Sequence, residues 1–181
     1  MDNIKFIPNN HLFVTPLEQE TRFLFTPYLV SCPYRAVRPE EMYASILFAD
    51  RSLAGIPTRP EQVYSAFIKG AQIWWDPVAG IKDLIILLDS PELEARRNEV
   101  LEASGSKSAN AEYSPHIALA FDIPNSTIRN RWWVNQVIQD FSTKHKDRLI
   151  RFSGETIHSS TGSFPIDDSN SQTINIQQPT L

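Results

Sequence analysis

Apolar residues along this chain fall mostly into short alternating or continuous runs broken by proline, glycine and asparagine, and helical spacing is confined to a few stretches. Met42 to Ala49 and His116 to Phe121 alternate as half-buried strands do, while Leu84-Ile85-Ile86-Leu87-Leu88 is the continuous run of a central strand. Phe23 to Val30 reads as an edge-like strand because Pro27 interrupts it. Ala71 to Asp76 and Arg148 to Ser153 supply two more strands. Helices are predicted over Glu61 to Gly70, entered at Pro60, and from Pro91 to about Gly105, with Ser90 as cap and Glu92 and Glu94 at the positive end. A longer one over Ser126 to Lys146 carries Ile128, Trp132, Val134, Ile138 and Phe141 as its apolar stripe. The opening from Met1 to Asn10 is polar and predicts no element. Strands and helices mix without the strict alternation of a doubly wound sheet, which predicts an α+β protein.

The chain's 181 residues suit one core, expected over 1–158, followed by a polar and flexible tail over 159–181. A net charge of −4 argues against broad binding to long nucleic acid but leaves room for a small anionic ligand. Cys32 is the single cysteine, so neither an internal disulfide nor a cysteine-based zinc site is expected. No apolar run approaches the ~18 residues of a membrane span and no leader opens the sequence, so a cytoplasmic location without membrane attachment is the expectation.

Two strands echo one another. Tyr43-Ala44-Ser45-Ile46-Leu47-Phe48 aligns with His116-Ile117-Ala118-Leu119-Ala120-Phe121, placing Tyr43 on His116 and Ser45 on Ala118. In a strand, positions one and three share a face. The first can carry a proton-transfer group and the third a short hydroxyl that holds a phosphate oxygen.

The block from Asp89-Ser90-Pro91 through the helix to Tyr113-Ser114-Pro115-His116 resembles the second half of a two-histidine (2H) phosphoesterase, over about Val37 to Glu155 in all. Among these it is most similar to the phage anti-CBASS cyclic-oligonucleotide phosphodiesterases. The resemblance implies bilobal sheets around a central cleft and flanking helices. It also implies a cyclic di- or trinucleotide partner in the host cytoplasm, and hydrolysis with no metal and no cofactor. Two histidines would act as base and acid, each followed two residues later by Thr or Ser. His116 fits the second histidine and Ser45 the first hydroxyl. Tyr43 stands where the first histidine is expected and Ala118 where the second hydroxyl is expected. Tyrosine titrates near ~10, so it can donate a proton but is a poor base at neutral pH. Three readings remain open: an enzyme with Tyr43 as acid, a binding protein that sequesters without cutting, and a chain altered at these two positions. Activity on 2′,3′-cyclic or 2′,5′-linked RNA ends is a further alternative.

Other residues carry weaker signals. Of the adjacent Trp74 and Trp75, one can face the core and the other can stack a base. Arg35, Arg51 and Lys82 are candidate phosphate contacts, and Glu155 a candidate reader of a base amino edge by the same resemblance. His11, His145 and His158 have no partners at metal-ligand spacing and read as surface residues, and no metal is expected.

Overall fold

The computed structural model describes residues 10–76, 81–108, 113–123 and 131–159. The chain opens with β1 (Asn10–Pro16), then α1 (Glu18–Glu20), a π-helical turn (Thr21–Phe25) and α2 (Thr26–Val30). There follow β2 (Arg35–Ala36), a 3-10 turn (Pro39–Glu41), β3 (Ala44–Ala49), β4 (Tyr64–Asp76) and β5 (Ile81–Asp89). α3 (Pro91–Ser104), β6 (His116–Phe121), α4 (Arg131–Ser142) and β7 (Leu149–Ser159) complete it. This is the α+β class expected from the sequence.

The strands form a seven-stranded antiparallel sheet in the order β2-β6-β3-β1-β7-β4-β5, and β5 also pairs with β6. The six strands β6-β3-β1-β7-β4-β5 therefore close into a ring, with β2 extending the edge that β6 shares with β3. α3 and α4 pack on the face of the strands that carries the apolar core. Leu12, Val14, Ile46, Ile68, Leu84, Ile86 and Phe152 meet Leu93 and Val100 of α3 and Val134, Val137 and Phe141 of α4 in one buried core. Alternate residues on the same strands face inward.

Several local signals act as expected. Ser90 Oγ accepts from the Leu93 N–H at 3.2 Å, Pro91 opens α3, and Gly105 ends it in the left-handed region at φ 61°. All four of Leu84, Ile85, Ile86 and Leu88 are buried, because β5 lies between β4 and β6 with both faces covered.

Four expectations need correction. Phe23 to Val30 is helical: Leu24, Phe25 and Leu29 are buried while Phe23 and Val30 are exposed. Pro27 lies just after the π-helical turn, within a helical stretch that runs unbroken from Glu18 to Val30. Just ahead of it the Thr26 N–H reaches back five residues to the Thr21 carbonyl, which also accepts from Thr26 Oγ1 at 3.1 Å.

Glu61 to Gly70 is no helix either. Tyr64, Ala66, Ile68 and Gly70 are buried while Phe67 and Lys69 between them are exposed, the period of a strand. β4 absorbs this segment and continues through Ala71 to Asp76, with a register shift between Ile68 and Gly70. On α4 the buried stripe is Trp133, Val134, Val137 and Phe141, and Trp132 is 61% exposed. Lastly, β1 forms where no element was expected: Leu12 and Val14 enter the core, and His11 and Phe13 face the other way. The last strand also runs past Ser153 to Ser159. The rest of the expected tail, 160–181, lies outside the described residues, as do 124–130 of the predicted long helix.

Among the described residues no helix is long and apolar enough to cross a membrane.

Candidate functional site

β3 lies between β6 and β1, and the two echoing strands are neighbours. Ala44 pairs with Ile117 in antiparallel register. One residue further in each direction, Ser45 comes beside His116 and Tyr43 beside Ala118, all on the inner face. On the other side, Phe13 pairs with Ser45 and His11 with Phe48, across a bulge between Leu12 and Phe13. The bulge turns His11 toward Ser45, so that His11 Nε2 lies 3.0 Å from Ser45 Oγ. Ser45, His11 and His116 are all buried.

An aromatic wall surrounds His11. Its ring stacks on Phe48 at 4.0 Å between centroids, meets Tyr43 edge-on at 5.3 Å and lies 4.9 Å from Phe13. Phe13 in turn contacts His158 of β7 edge-on at 5.1 Å. On the far side of the site, Trp74 of β4 lies 4.3 Å from the His116 ring.

Hydrogen bonding sets the state of His116. Its Nδ1 lies 2.8 Å from the Ser114 carbonyl, which can only accept, so the proton sits on Nδ1. Nε2 is left as the lone-pair nitrogen, buried and without a hydrogen-bond partner. Burial holds the His116 imidazole below its ordinary range, only partly offset by the Ser114 bond. For His11, burial and then the nearby His158 push the pKa down to about 3. Burial alone pushes the Tyr43 hydroxyl up, so it remains protonated. The face thus presents a basic nitrogen, a serine hydroxyl in contact with a second imidazole, and a phenol.

The sequence-derived residues divide in space. His116, Tyr43, Ser45, Ala118 and Trp74 come together. Trp75 is exposed at 59% and alternates away from Trp74. Arg51 is exposed in the loop after β3, and Lys82 pairs in register with Trp75. Arg35 forms a 3.0 Å ion pair with Asp122. Glu155 is buried against α3: its Oε1 receives Arg96 Nη2 at 2.7 Å, its Oε2 receives Arg96 Nε at 3.1 Å, and the Tyr64 hydroxyl also donates to Oε2. The surface reading of His145 is corrected too, since it is buried between Tyr28 and Phe141. His158 is exposed as expected.

The residue that sequence reading missed is His11, expected on the surface and found 2% exposed at the centre of the site. Its signal was the alternation of Leu12 and Val14 with His11 and Phe13. Among the described residues, no group of three or more His, Cys, Asp or Glu side chains could hold a metal ion.

A buried imidazole with a free basic nitrogen beside a histidine–serine pair can take and give protons, the requirement of an acid–base site. A family comparison gives the chain its place: the family described as "Anti-CBASS protein Acb1" matches residues 33–147, more than half of the sequence. The chain belongs to that family, in agreement with the resemblance in its signature strands. No curated protein matches it. Among solved structures, it is similar to Usb1 of Kluyveromyces marxianus at 10% identity and a TM-score of 0.42, over 84% of this chain and 99% of that one.

Proposed function

We propose that this anti-CBASS family member binds a 3′,5′-linked cyclic di- or trinucleotide on its inner face and hydrolyses one phosphodiester. The single observation that carries the reading is His116: a buried imidazole whose tautomer leaves Nε2 basic and unpartnered, beside Ser45. A lone-pair nitrogen buried without a partner is costly unless something else occupies it in the working state.

In this reading, His116 Nε2 takes a proton from the attacking water as its oxygen bonds to phosphorus. The phosphorus–oxygen bond to the leaving ribose oxygen breaks, and that oxygen takes up a proton. Ser45 Oγ and the Tyr43 hydroxyl are two donors on this face, and the single Ser45 O–H bonds a phosphate oxygen until the leaving oxygen develops charge. Ala118 gives no second hydroxyl, so the phosphate clamp is lighter on the β6 side. Trp74, adjoining His116, offers an aromatic surface for a base. The net charge of −4 weighs against long RNA as the substrate.

The test is to incubate the protein with a panel of cyclic di- and trinucleotides in EDTA, denature it, and separate the products by chromatography. Linear nucleotide is expected. Ligand removed from solution but recovered intact would instead identify a sequestering protein, a reading favoured by Tyr43 and Ala118 at the two motif positions. Inertness toward every ring, with cleavage of 2′,3′-cyclic ends, would move the substrate to RNA.

A further inference from the structure

We infer that His11, reaching in from β1, governs the Ser45 hydroxyl and supplies through it the proton for the leaving oxygen. The inference rests on the hydrolytic reading above and deepens it by naming a second imidazole.

Three observations point to this. First, His11 Nε2 and Ser45 Oγ are 3.0 Å apart and both residues are buried. A pair of buried polar groups that only satisfy one another can be replaced by apolar groups of like shape at little cost. Here the pair sits within a wall of Phe13, Phe48 and Tyr43, and yet an imidazole occupies the position. Second, the contact depends on a local departure from regular pairing, the register shift between Leu12 and Phe13. Such bulges re-aim side chains. Third, Ser45 stands between the two imidazoles, with His11 on its β1 side and His116 on its β6 side.

The proton balance follows. A phosphate anion against Ser45 raises the His11 pKa from its low ligand-free value, because opposite charges attract strongly in a dry site, and so draws a proton onto the imidazole. His11 Nε2–H then donates to Ser45 Oγ, and the Ser45 O–H donates to the phosphate. As the bond to the leaving oxygen breaks, Ser45 passes its proton to that oxygen and takes one from His11. His116 takes the proton of the attacking water, and both imidazoles reset by exchange with solvent. The β1 imidazole thereby replenishes the Ser45 proton, a role for which the Tyr43 phenol, a poor base, is not suited. His11 is a positioning residue in this scheme: it acts on the reacting atoms through Ser45.

The test uses the full chain and 3′,5′-cyclic triadenylate and cyclic diadenylate as probes. His11→Gln keeps a side chain of similar reach that cannot carry a proton, and is expected to lower kcat ~10²–10⁴-fold while KM moves by no more than a few-fold. His11→Ala is expected to match it, provided its melting shows it folded. Adding Tyr43→His to His11→Gln returns an imidazole to the same face, and should recover at least about tenfold of the lost kcat, which a purely structural role for His11 does not predict. Cleavage by His11→Gln at the unaltered rate, or no recovery in the folded double variant, would overturn the relay and leave the proposed function standing. Failure of the unaltered chain to cleave either probe or any other cyclic nucleotide would overturn the hydrolytic reading, and the relay with it.

Discussion

His116 donates its Nδ1–H to the carbonyl of Ser114, two residues earlier in the chain, at 2.8 Å. Pro115 lies between them, and its carbonyl accepts from the Leu88 N–H at 2.9 Å, fixing the approach to β6. Backbone geometry therefore selects the tautomer of the imidazole. The consequence is a basic Nε2 on the inner face at neutral pH.

Stability should depend on pH through the histidines. In the unfolded chain an imidazole takes its proton near ~6.5, whereas in the fold His11 does so at about 3 and His116 also below its ordinary range. Between those values the unfolded state binds more protons, so stability is highest above about pH 6.5 and falls as pH drops below it. His11 alone should contribute a loss of roughly 1.4 kcal/mol per pH unit in that window. Urea unfolding at pH 7, 6 and 5 measures this, and His11→Phe should flatten the slope. An unchanged slope in that variant would contradict the assignment.

The Arg96–Glu155 pair ties α3 to β7 and is almost wholly buried, with side-chain exposures of 2% and 0%. Removing one partner strands a charge, so Glu155→Gln and Arg96→Met should each cost about 3–5 kcal/mol of stability. Ligand affinity in whatever remains folded should change little. A Glu155→Gln protein of unchanged stability that has lost affinity would instead return this carboxylate to the base-reading role suggested by the sequence.

Trp74 and Trp75 should differ sharply. Trp74 borders His116 on the inner face, while Trp75 is exposed on the other side. Trp74→Ala should weaken cyclic-nucleotide binding by about 1–3 kcal/mol, the worth of one stacked base, and Trp75→Ala should leave it near the unaltered value. Titration followed by calorimetry distinguishes them. Equal effects of the two variants would contradict the placement of the ligand.

Gly70 occupies φ 154°, and a Cβ there would come within 3.1 Å of Ser142 Oγ on α4. Gly70→Ala should therefore destabilise the protein by ~1–3 kcal/mol, through backbone strain and crowding at the strand–helix contact. Thermal melting reads this directly.

What the sequence disclosed follows the strength of local signals. β3, β5, β6 and α3 were legible because alternation, a continuous apolar run and a Ser-Pro cap with a closing Gly are short-range features. The first half of β4, Tyr64 to Gly70, was not, because Pro60 and the charged Glu61 suggest a helix start, while the strand is set by pairing with β5 and β7; its second half, Ala71 to Asp76, was read as a strand. Phe23 to Val30 misled for the converse reason: proline reads as a breaker, yet here it lies inside a helical stretch, just after a π-helical turn. His116, Ser45 and Tyr43 were legible as a site because they lie on strands of matching pattern. His11 was not, since its partner Ser45 is 34 residues away and the contact exists only through the β1–β3 register and its bulge.

The most direct measurement is a single-turnover time course of cyclic-nucleotide cleavage, in EDTA, for the unaltered chain and for His116→Ala. The expected result is linear product from the unaltered chain, a rate ~10²–10⁴-fold lower in the variant, and dissociation constants within a few-fold of one another. Cleavage by His116→Ala at the unaltered rate would contradict the assignment of Nε2 as the base on which the whole site is built.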